Sequence, residues 1–180
     1  MEQKRLFIGS LIQNEEILKS YPGIMDNFYH VVKGKWTEQE NLHINYKFLG
    51  YVPAEKIDEI KESLSGILKE HNSPLKFHGV GCFPNFAIPR VLFMHVYSPD
   101  RSILSAAAEI ESKMEALGFP REKRRFKPHL TLCRIKSINT GFEDVVNDYE
   151  KVEFTTVPSY SINLIESKLT QNGPIYTVLT

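Results

Sequence analysis

Cysteine is scarce in this 180-residue chain, whose only two, Cys82 and Cys133, stand far apart with no metal-ligand spacing around them. That pattern argues against a disulfide-stapled secreted scaffold or a cysteine-based zinc module, and it fits a reducing, cytoplasmic setting. Long apolar runs are also missing. Residues 6–12 are apolar but too short for a secretory core or a membrane span, and Gln13-Asn14-Glu15-Glu16 follows at once. Charge of one sign is lacking too: 22 Lys and Arg balance 22 Asp and Glu, so no global field draws the chain to nucleic acid or an anionic membrane. Any polyanion site must be local. GxxxxGK[ST], HExxH and GxSxG are all absent, which sets aside a nucleotide-triphosphate loop, a zinc-protease helix and a hydrolase elbow.

What is present is 42% hydrophobic and 24% charged, enough to bury a core. The expectation is a soluble protein with residues 1–180 forming a single bilobal domain. Residues 4–12 and 41–50 read as strands, with short helices expected at 15–20 and 26–33 on either side of Tyr21-Pro22-Gly23. Ile57, Ile60, Leu64 and Ile67 recur at helical spacing behind Pro53. Residues 75–83 and 90–97 read as a hairpin. Ser98-Pro99 is expected to cap a helix that carries Ile103, Ala107, Ile110 and Met114 and ends at Gly118. Late strands follow at 127–135, 151–157, 160–169 and 175–179, with Asn172-Gly173 as a turn. This order lacks the regular alternation of a parallel doubly wound sheet and predicts an α+β fold with mainly antiparallel sheet.

In Leu42-His43-Ile44-Asn45-Tyr46-Lys47, strand alternation sends His43, Asn45 and Lys47 to one face and the apolar residues to the other. Pro128-His129-Leu130-Thr131-Leu132 repeats the pattern with His129 and Thr131. One unit of this kind in each half suggests a duplication. A lone histidine is more often structural than catalytic. Two on apolar-backed strands make a paired site more credible than either alone, and what two imidazoles do well is acid–base work near neutral pH, one withdrawing a proton from water and the other protonating a leaving alkoxide. Asn45 and Thr131 then supply donors for phosphate oxygens. Zinc is the rival use of histidine, but it needs three or four ligands.

These residues, with Arg5-Leu6-Phe7-Ile8, Trp36, Phe48-Leu49-Gly50, Gly79-Val80-Gly81-Cys82-Phe83, Pro89-Arg90-Val91-Leu92, Arg125-Phe126-Lys127 and Leu164-Ile165-Glu166-Ser167, give the chain a resemblance over nearly its whole length. It resembles the RNA 2′,3′-cyclic phosphodiesterases, or 2′-5′ RNA ligases, of the two-histidine phosphoesterase superfamily. The resemblance implies two antiparallel sheets facing across a cleft with helices outside. It also implies metal-independent hydrolysis of an RNA 2′,3′-cyclic phosphate to a 2′-phosphate, with reversible 2′-5′ joining as a side reaction. By resemblance His43 is the proton donor to the leaving oxygen and His129 the base, and Arg134 is a phosphate contact. Strict alternation puts Arg134 on the wrong face, so a bulge or the strand's end must turn it inward. Asn45 departs from the family's usual threonine or serine.

Arg121, Lys123, Arg124, Arg125 and Lys127 crowd the approach to His129. Arg124 and Arg125 are candidates to hold the RNA backbone, and Phe126 or Phe83 to stack on a base. The bland alternative is a solvated loop with Phe126 as its core anchor. No cofactor, metal, membrane contact or obligate protein partner is expected. The competing reading from another class is a non-catalytic RNA-end binding module, with Asn45 marking a weakened first motif.

Overall fold

The computed structural model describes residues 2–179. In chain order the elements are β1 (Gln3–Leu11), α1 (Glu15–Phe28), β2 (Val32–Trp36), β3 (His43–Pro53), α2 (Ile57–Ser63), β4 (Glu70–His71), β5 (Leu75–Phe83), β6 (Val91–Tyr97), α3 (Ser102–Ala116), β7 (His129–Ile138), α4 (Phe142–Asp148), β8 (Glu153–Val157), β9 (Tyr160–Ser161), β10 (Asn163–Thr170) and β11 (Gly173–Val178). Strands alternate with helices irregularly, and every pairing is antiparallel. The α+β architecture follows.

One sheet runs β11-β10-β1-β3 and the other β2-β7-β6-β5-β8, with β4-β9 as a small ribbon. The chain changes sheets repeatedly. From β1 it passes through α1, whose Tyr21 and Phe28 pack on Trp36 of β2, and after β6 it passes through α3, which packs behind β3. Each sheet is thus backed by a helix that enters from the other, and one continuous apolar cluster includes Leu6, Ile8 and Leu164 of the first sheet and Leu92, Leu130 and Leu132 of the second.

Several expected elements differ: the stripe from Ile57 to Ile67 is helical only to Ser63, and the strand expected over 160–169 is split into β9 and β10. The two helices placed around Tyr21-Pro22-Gly23 are one helix, α1, which ends at Phe28; of the rest of the second expected helix, residues 29–31 are a turn and 32–33 begin the edge strand β2. Ile17, Tyr21, Ile24 and Phe28 form a buried stripe that straddles Pro22, and Asn14 caps the start by accepting from the amides of Glu16 and Ile17. Burial of that stripe outweighs the proline's broken hydrogen bond. The start of α3 is not capped by Ser98; Asp100 accepts from the Ser102 amide and from the Ser98 hydroxyl. Helix α4 and the short strand β4 carry no periodicity long enough to be read from sequence.

Candidate active site

His43 and His129 are the first residues of β3 and β7, on different sheets. The ring Nδ1 of each lies 2.7 Å from the carbonyl oxygen two residues back, Asn41 for His43 and Lys127 for His129. A carbonyl only accepts, so Nδ1 carries the hydrogen in both rings and Nε2 is the atom left for chemistry. Each ring also stands against two aromatic neighbours. His43 lies 5.0 Å from Phe7 and 5.1 Å from Tyr176, and His129 lies 5.1 Å from Phe83 and 5.5 Å from Phe93, measured between ring centroids. Phe7, Phe93 and Tyr176 were not among the expected site residues. They reach the histidines from strands remote in sequence.

Two bulges decide which residues share the histidine faces. On β7, Cys133 pairs with Leu92 and Thr131 with Phe93, so one extra residue sits between them. Because Val91, Phe93 and His95 alternate regularly on β6, their partners Arg134, Thr131 and His129 lie on one face. On β3, His43 pairs with Leu11 and Asn45 with Gly9, and both lie on the Phe7 face of β1. The next pair, Ile8 with Lys47, comes after a bulge. Lys47 was expected to share the polar face with His43 and Asn45, and the structure corrects this: the bulge turns it to the other side, where it is buried against Glu111. Gly9 leaves room for the crossing, since a Cβ there would come within 2.8 Å of the Phe7 ring and 2.9 Å of the Ile44 carbonyl oxygen.

The electrostatics bring the two sheets together at one place. Burial lowers the pKa of His43 from its ordinary value, the Asn41 carbonyl opposes this, and the charges of Arg134 and His129 add to the lowering. Burial likewise lowers His129, against the Lys127 carbonyl and with Arg134. Tyr176 is raised by burial and pulled down by Arg5 and Arg134. The Arg134 guanidinium is therefore felt at residues of β3, β7 and β11, and His43 also feels His129, each charge disfavouring protonation of the imidazole it acts on. The side chains of Asn45 and Thr131 make no hydrogen bond to another described residue, which leaves their donors unused. Such a site can give a proton on one side of a phosphorus, take one on the other, and hold anionic oxygens between.

Of the other expected residues, Phe83 stacks on Phe93 at 4.1 Å as well as meeting His129. Phe126 stacks on Tyr46 at 5.7 Å and packs against the core, the anchor role. Arg124 and Arg125 are exposed and line a cavity of about 1060 Å³ that reaches His129 but not His43. His95 pairs with His129 across β6 and β7, and its pKa is lowered by burial and then by His78 and His129. Both thiols are free; burial pushes Cys133 up to about 12, so it is inert near neutral pH. No helix among the described residues is long and apolar enough to cross a membrane.

A family model described as LigT like Phosphoesterase matches residues 15–93 and 96–176. The chain belongs to this family. Each matched segment of this LigT-like phosphoesterase carries one of the two His-x-polar units. The RNA 2′,3′-cyclic phosphodiesterase of Archaeoglobus fulgidus is 36% identical over 174 residues, 96% of each chain. That of Methanocaldococcus jannaschii is 38% identical over 147 residues, covering 81% of this chain and 82% of the relative. Among solved structures, one from Thermus thermophilus matches with TM-score 0.74 at 25% identity, covering 98% of this chain and 95% of that one. E. coli LigT complexed with 3′-AMP matches with TM-score 0.76 at 22% identity over 99% and 97% of the two chains, a likeness of fold.

Proposed function

We propose that the protein hydrolyses RNA 2′,3′-cyclic phosphate ends to 2′-phosphate ends by two-histidine acid–base catalysis. The observation that carries this is the matched setting of the two rings: each has Nδ1 committed to a backbone carbonyl and Nε2 left over, with Arg134 acting on both. In the step, a water oxygen attacks phosphorus while His129 Nε2 takes its proton. The bond from phosphorus to the 3′-oxygen breaks, and His43 gives its Nε2 proton to that oxygen, leaving a 3′-hydroxyl and a 2′-phosphate. Arg134, the Thr131 hydroxyl and the Asn45 amide hold the non-bridging oxygens as charge builds. With an RNA 5′-hydroxyl attacking in place of water, the same step joins two RNAs through a 2′-5′ bond.

The names of the curated relatives support the substrate class. The exposed Arg124 and Arg125 suit an RNA backbone, and Phe83 and Phe126 border the same cavity. The shared core supports residues 1–180 acting as a single bilobal unit, and two free thiols suit the cytoplasm. The deciding experiment is end-group analysis of a short RNA with a 2′,3′-cyclic phosphate, incubated in EDTA. A 2′-phosphate product is expected, with kcat lower by about 10²–10⁴-fold in His43→Ala and in His129→Ala. Binding without turnover would make the protein an RNA-end binder, and either alanine variant at wild-type rate would remove that histidine from the step.

A further inference from the structure

The buried ion pair of Lys47 and Glu111 takes no part in the acid–base step, yet it is tightly made. Only 2% of the Lys47 side chain and 16% of the Glu111 side chain are exposed, and the ammonium donates to Glu111 Oε1 at 2.7 Å and to the Pro120 carbonyl at 2.8 Å. Glu111 Oε1 also accepts from the Glu122 amide at 2.9 Å. A pair this buried needs such partners to offset its desolvation. Its partners lie in the stretch between α3 and β7, which forms no helix or strand. The far end of that stretch is fixed from the same place, because Phe126 stacks on Tyr46, the neighbour of Lys47. Two adjacent residues at the β3 bulge therefore pin residues 120–126 at both ends.

What they pin is a wall. The cavity of about 1060 Å³ starts at His129 and runs between this stretch and Leu104 and Ala107 of α3. It lies just above the ~300–1,000 Å³ usual for a single small ligand, more than a cyclic mononucleotide needs. Lys123, Arg124 and Arg125 on its rim are exposed and form no salt bridge with another described residue. Free cations on a cavity that Phe83 and Phe126 also line suit a single strand, backbone to the charges and bases to the rings.

We propose that the Lys47–Glu111 pair is a latch holding residues 120–126 as the outer wall of a groove along α3, and that this groove is a subsite for the single-stranded RNA leading to the cyclic end. This rests on the proposed activity and adds a preference for oligonucleotides over cyclic mononucleotides. Lys47 is thus a positioning residue. The test compares KM and kcat for a 2′,3′-cyclic mononucleotide and for an oligoribonucleotide with the same end, in wild type, Lys47→Met and Glu111→Gln. Wild type is expected to show a KM about tenfold or more lower for the oligonucleotide. The variants lose that advantage while kcat on the mononucleotide stays within about twofold. Their log–log salt dependence on the oligonucleotide becomes shallower by about 0.7 for each phosphate no longer held. A variant that merely unfolds in part lowers kcat on both substrates alike, and if Lys47→Met does not fold, the milder Glu111→Gln decides. An oligonucleotide advantage absent in wild type, or unchanged in a folded variant, overturns the proposal. If wild type turns over neither substrate, the proposed activity has failed, and anisotropy of labelled single-stranded RNA then judges the groove alone: weaker binding by the variants supports it and equal binding overturns it.

Discussion

Burial lowers the proton affinity of both histidines, and the charge of Arg134 lowers it further. Burial and Arg134 together place both pKa values below the ordinary imidazole value, and the bell of kcat/KM should centre below about pH 6.5. Arg134→Met removes a positive charge, protonation becomes easier, and both limbs move to higher pH. A pH–rate profile on a cyclic mononucleotide checks this; limbs that stay in place would mean the guanidinium does not face the rings. Asn45→Thr is expected to keep or raise kcat, since a hydroxyl at the same side-chain position still donates to phosphate. A collapse would show that the longer amide is required. At this scale the histidines and their polar neighbours were legible because strand alternation needs only local sequence. Lys47 was misplaced and Arg134 needed a special provision for one reason: each lies just past a bulge, and a bulge is set by pairing with a distant strand.

The elements were legible where one buried face repeats over several turns or several alternations, as in α3, β3 and the β5–β6 hairpin. They were not legible where a local signal opposed tertiary burial, and α1 is the clear instance. Pro22 lies inside that helix with its ring exposed. Proline in a helix interior costs about 3 kcal/mol against alanine, while its stiffening of the unfolded chain gives back up to about 1 kcal/mol. Pro22→Ala should therefore stabilise the protein by about 2 kcal/mol, read as a higher urea midpoint with unchanged slope. An unchanged midpoint would show that α1 already bends to absorb the proline.

For the whole molecule, three half-buried histidines, His43, His95 and His129, have lowered pKa values, in each case chiefly from burial. Below about pH 6.5 the unfolded chain binds their protons before the folded one does. Stability should hold above that pH and fall as the solution is acidified toward the folded-state values. Urea midpoints at about pH 7.5 and about pH 5.5 test the sign, with the lower expected in the more acidic buffer. Glu111 and Asp100, both held below the ordinary carboxylate range, titrate at still lower pH and leave this window clear. The α+β class and antiparallel pairing were legible from element order, whereas the exchange of backing helices between sheets was not, because it depends on which sheet each strand joins. The two carbonyl locks, one behind each imidazole, carry a last implication. With Nδ1 committed in both rings and Nε2 left over in both, the protein's own bonding does not mark one histidine as donor and the other as acceptor. Directionality is then left to the unlike surroundings of the two rings, Phe7, Tyr176 and Asn45 on one side and Phe83, Phe93 and Thr131 on the other, which offer the ribose two different seats.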